Sequence, residues 1–268
     1  MSFRLLPDQL LDYDGEAAFA DVLTTWLRSH TSAVDPLKSV NIRSIKSIPQ
    51  LSDDESWLLY EAHRVLELLV LRFQSGNADG SEWPGPAITK EEFAQFAQSI
   101  GLTVMRPLAW SPFHHEITTL TTVPDPKAAP EVLHEHWPCL MLGSMLFMRA
   151  GVAVAAGAHT LAPDIASTSR LYWAHRRKTR PHSDLAHGWG ANSSWRTRFR
   201  RDYFIDGTFH FNVEGDCDLS ALPAGEINED GLTALERQEL VIHRCFVTCK
   251  KDDADLFPYG DRYSIKAR

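Results

Sequence analysis

Residues 196–213, RTRFRRDYFIDGTFHFNV, hold two β-prone runs parted by Asp206 and Gly207. An Asp-Gly pair accepts the positive φ angles of a two-residue type I′ turn, so the stretch reads as a β-hairpin with arms at residues 196–205 and 208–213. Hairpin arms pair antiparallel. Whether this late hairpin belongs to a sheet built apart from the helices, or to alternating β-α-β units, decides the fold class.

The chain before it answers that question. Residues 17–29 place Phe19, Val22, Leu23, Trp26 and Leu27 at helical spacing. Ser52 with Glu55 forms a capping box, and residues 53–74 then repeat Leu58, Leu59, Ala62, Val65, Leu66, Leu69 and Phe73 on one face before Gly76. A second box, Thr89 with Glu92, opens a helix carrying Phe93, Phe96 and Ile100, which Gly101 ends. Strand-like runs follow at residues 102–105, 117–123, 140–148 and 152–156, the last two flanking Arg149–Gly151. After the hairpin, a third box, Thr233 with Glu236, opens a helix expected to reach about residue 248, and the tail beyond Asp252 reads as irregular. Helices, then strands, then one helix is an α+β pattern: N-terminal helices packed on a largely antiparallel sheet, with a late hairpin and a C-terminal helix. Without a repeat or a long linker, residues 1–268 are expected to form a single globular domain.

Charge is distributed unevenly. Residues 170–201 hold nine Lys or Arg and one acid, net +8, between flanks of net −9 (residues 1–169) and −7 (residues 202–268), and the whole chain is −8. Such an island marks either an anionic partner or internal pairing with the acidic flanks. Within it, His187, Trp189, Asn192, Ser193, Trp195, Arg196, Arg198 and Arg200 combine a glycine-containing loop, amide and hydroxyl donors, stacking rings and guanidinium forks, which suits an anion or an acidic partner. Alternation along residues 196–205 would equally give a solvated row of arginines on one strand face.

Catalytic motifs are incomplete. His114-His115-Glu116 with Pro138-Cys139 half-matches the zinc nucleobase-deaminase pattern, but Leu142 stands where the second cysteine belongs. On a strand, His134 and His136 would face the same way, and with His114 they are the candidate metal ligands. The four cysteines form no C-x-x-C, and Cys245 with Cys249 would share a face of the last helix. The apolar run 139–158 is broken by Arg149 and three glycines, so it reads as buried strand and not as a membrane span, and the acidic N-terminus does not read as a signal peptide.

Size, acidity and missing motifs give a bulk likeness to immunity proteins, which neutralise a cognate toxin by direct binding. That likeness implies a non-catalytic cytoplasmic protein of bacterial type, with another protein (a cognate toxin) as partner and no cofactor. The alternative is an enzyme of small-molecule or nucleotide metabolism that holds a phosphate or carboxylate at the 187–201 loop and arginines, with a His-ligated metal as an option. The acidic remainder of the chain disfavours nucleic acid and anionic membranes as partners.

Overall fold

A computed structural model describes residues 3–76, 82–184, 199–249, 256 and 258–267. Helices come first: α1 (Leu6–Leu11), α2 (Thr24–Ser29, continuing a π-helical turn at Phe19–Leu23), α3 (Thr31–Arg43), α4 (Asp53–Leu69) and α5 (Lys90–Ser99). Then come β1 (Thr103–Met105), β2 (His115–Thr122), β3 (Glu131–Trp137), β4 (Cys139–Leu142), β5 (Met145–Met148), β6 (Ala150–Ala156), β7 (Leu171–Tyr172), β8 (His182–Ser183), β9 (Asp202–Ile205), β10 (Thr208–Phe211) and β11 (Cys217–Asp218). Helix α6 (Ala234–His243) and strand β12 (Asp261–Lys266) follow.

Seven strands form the main sheet in the order β1-β4-β5-β9-β10-β12-β11, antiparallel except for the β11–β12 pair. A second sheet, β2-β6-β3, pairs β6 parallel to β2 and antiparallel to β3. The fold is thus α+β, with a mixed but mostly antiparallel sheet, a late hairpin and a C-terminal helix.

Side chains alternate across the main sheet, and each face has its own core. Leu140, Leu142, Met145 and Tyr203 pack with Leu59, Leu66, Phe93 and Phe96 in the helical layer. Met141, Leu146 and Phe211 pack on the other side with Val152 and Val154 of β6 and Val241 of α6. All three capping boxes form in both directions, at Ser52/Glu55, Thr89/Glu92 and Thr233/Glu236. The hairpin forms as read: Asp206 and Gly207 have φ of 49° and 71°, and Ile205 pairs with Thr208.

Several elements differ from the sequence reading. Residues 140–148 are two strands and not one, because Gly143 turns at φ +63° where a Cβ would lie 2.6 Å from the Asn41 carbonyl oxygen. Among the described residues the first hairpin arm begins at Asp202, and Arg200 and Arg201 just before it are buried. Helix α6 stops at His243, where Arg244 takes a left-handed conformation (φ 62°). Cys245 and Cys249 therefore lie beyond the helix and share no helical face. The tail read as irregular contains β12, whose Tyr263–Lys266 register against β10 extends the hairpin to three strands. Among the described residues no helix is long and apolar enough to cross a membrane.

Candidate functional site

A small, open cleft lies between the helical layer and the end of α6. Tyr60 and His63 of α4 line one side, Phe147 of β5 and Phe199 the floor, and Trp173, His175, Asp184, Arg200 and Arg244 the remainder.

Arg200 and Arg244 are 4% and 7% exposed, and both lean on one carboxylate. Arg200 donates through Nε to both oxygens of Asp202 at 2.9 and 2.8 Å, and Arg244 through Nη2 at 3.1 Å. The backbone N–H of Asn212 also donates to Asp202 at 2.7 Å. Two cations thus share one anion, and each keeps a buried donor with no hydrogen-bond partner: Nη1 of Arg200 and Nε of Arg244. Trp173 supports Arg200 from below, with the guanidinium carbon 4.2 Å from the ring centre, a cation–π contact. The carbonyl of Val241, in the last turn of α6, accepts from Arg200, so the negative end of the helix dipole favours this charge. Burial and the neighbouring Arg244 still work against it, and the Arg200 pKa falls to about 10.

The other polar groups of the cleft do not cancel the surplus. Asp184 is bound by Arg64 and accepts from the Tyr60 hydroxyl. Burial lowers the His63 pKa despite the Glu67 carboxylate 3.7 Å away, and burial with Arg64 lowers the His175 pKa to about 2. Deeper still, Arg177 joins Glu67 of α4 to Glu116 of β2, all three nine-tenths buried or more. Burial opposes every charge in that trio, but the mutual attraction overrides it: both carboxyl pKa values are depressed and that of Arg177 is raised. Two cleft residues, Trp173 (φ 54°) and Arg244 (φ 62°), hold a left-handed backbone that side chains rarely adopt. Such strain concentrates at ligand sites, where the surrounding packing enforces it.

Of the residues read as an anion site, Arg200 lines this cleft. His187, Trp189, Asn192, Ser193, Trp195, Arg196 and Arg198 lie outside the described residues. Arg200 is not part of a solvated row. It and Arg177, Arg180 and Arg201 of the same island are buried: Arg177, Arg200 and Arg201 meet carboxylates, while Arg180 donates to the carbonyls of Ser169 and Ala166. Three arginines of the island are thus paired with acids of the same fold.

His134 and His136 do face the same way on β3, with ring centres 4.9 Å apart. His114 is placed across β6 from them, beside β2, where it packs on Phe113 and Phe209. Among the described residues no three His, Cys, Asp or Glu side chains are grouped to hold a metal. Glu116 does meet the basic island, but in the closed ion pair with Arg177 and not across an open pocket.

No family model matches the chain, no curated protein is similar to it in sequence, and no solved structure matches its fold.

Sequence reading missed His63, Glu67 and Arg244. For the first two a signal existed: a histidine and a glutamate four residues apart, directly beside the apolar stripe of a strongly patterned helix, are buried polar groups in need of partners. Arg244 gave none, because its role depends on where α6 stops.

Proposed function

We propose that this protein binds a small anionic ligand, one bearing a phosphate or carboxylate group, between Arg200 and Arg244. The carrying observation is that two buried guanidinium groups share a single carboxylate while each retains a donor without a partner. A buried charge in surplus is expensive, and an oxyanion is the group that two convergent arginines accept best. Aromatic walls at Phe147, Phe199 and Trp173 suit an apolar portion attached to that anion. His63, beside Glu67, adds an imidazole within the same cleft, so the reading accommodates an enzyme as well as a carrier. The test is NMR of the Trp173 indole and His63 ring signals during addition of orthophosphate or acetate at constant ionic strength. Saturable shifts in these two residues support the reading, and unmoved signals oppose it.

Neutralisation of a basic protein partner such as a toxin is the second reading, and one observation favours it. Seven Lys and Arg side chains are buried among the described residues against four Asp and Glu, which leaves the surface more acidic than the net charge of −8 suggests. Such a surface steers a basic partner toward it. Four free cysteines fit a reducing cytoplasm under either reading.

A further inference from the structure

A third arginine stands apart from the cleft. Arg149 sits between β5 and β6 and is 3% exposed. Its Nη1 donates to the His243 carbonyl at 2.8 Å and more loosely to those of His115 and Pro112, at 3.4 and 3.5 Å. Its Nε and Nη2 are buried with no hydrogen-bond partner. Those two nitrogens form one edge of the guanidinium, the side-on fork that ordinarily receives an anion through two N–H groups. Among the described residues, no carboxylate lies within ion-pair distance of Arg149. Glu116 attracts it, but both Glu116 oxygens are already engaged by Arg177 at 2.7 and 3.2 Å. Burial, with repulsion from Arg244 and Arg200, brings its pKa to about 9, so the group is still charged near neutral pH.

We infer that the Nε–Nη2 edge of Arg149 holds a small monovalent anion of the chloride class, as a structural counter-ion independent of the cleft ligand. Monovalence follows from the surroundings. Three carbonyl oxygens crowd the other side of the guanidinium and disfavour a dianion, and the cost of burying an ion climbs steeply with its charge.

Bromide, a chloride substitute that scatters anomalously, is the probe. Crystals of the full chain soaked in sodium bromide should show an anomalous peak within hydrogen-bond reach of Arg149 Nε and Nη2. Thermal melts at constant ionic strength should show a midpoint that rises as bromide replaces a bulky organic anion, and Arg149→Met should abolish that rise. A map with no peak at Arg149, or an equal bromide dependence in Arg149→Met, overturns the inference. If the variant does not fold, the map of the unaltered protein decides alone. A peak confined to Arg200 and Arg244 would overturn this inference and leave the cleft reading standing.

Discussion

Arg177 lies between Glu67 and Glu116 and donates to each at 2.7 Å, so one guanidinium pins helix α4 to strand β2 through the interior. Removing one partner of a buried ion pair leaves an uncompensated charge, which costs far more than the pair contributes. Arg177→Met should therefore destabilise the protein by about 3–5 kcal/mol. Replacing all three residues with apolar ones of similar volume should restore much of that loss. Urea denaturation of the single and triple variants checks both statements.

Arg200 carries a similar prediction. As a solvated strand residue it would be replaceable at little cost. Buried on Asp202 and Trp173, it is not. Arg200→Ala should destabilise by about 1.5–3 kcal/mol, because its hydrogen bonds to Asp202 and the Val241 carbonyl and its contact with Trp173 are lost, although Asp202 keeps Arg244 and the Asn212 backbone N–H. A denaturation midpoint unchanged from the parent would place Arg200 back on the surface.

Acid should weaken the fold in two stages. His63, His175 and His243 have pKa values below the usual 6.5, chiefly through burial, with His243 at about 4 and His175 at about 2. The unfolded chain takes up protons at these sites first, so their contribution is complete above pH 6.5 and is lost as pH falls toward the folded values. Each should remove about 1.4 kcal/mol per pH unit within that window. Glu67, Glu116 and Asp202 have depressed pKa values, so their contribution is lost at lower pH, as pH falls from the ordinary carboxylate range toward the folded values. Unfolding free energies measured from pH 7 to 5 should fall steadily before Glu67, Glu116 or Asp202 titrates, and His243→Phe should flatten the slope.

Two glycines separate backbone strain from steric clash. Gly207 has φ +71° and nothing within 4 Å of a Cβ, so Gly207→Ala should cost about 1–2 kcal/mol from conformation alone. Gly143 has φ +63°, and its Cβ would meet the Asn41 carbonyl, so Gly143→Ala should cost more. Chemical denaturation of the two variants side by side tests the order.

The legible parts of the sequence were those fixed by neighbours in the chain. Capping boxes need residues three apart, and the hairpin needs Asp206 beside Gly207, so each was readable from a few adjacent positions. β12 was not, because its Asp261–Lys266 run becomes a strand by pairing with β10, some fifty residues earlier. The inward turn of the arginines was hidden for the same reason: Glu67 and Glu116, which draw Arg177 in, lie 110 and 61 positions away. The basic island was visible as charge, but its partners were visible only in space.

The most direct test of anion binding is isothermal titration calorimetry with orthophosphate, and then acetate, on the parent protein and on Arg244→Gln, with circular dichroism confirming that the variant is folded. A lost charge-assisted hydrogen bond corresponds to about tenfold or more in affinity. The account predicts saturable one-to-one binding of at least one of the two anions by the parent, weakened by about that factor in Arg244→Gln. No saturable heat with either anion, or equal affinity in the two proteins, would contradict it.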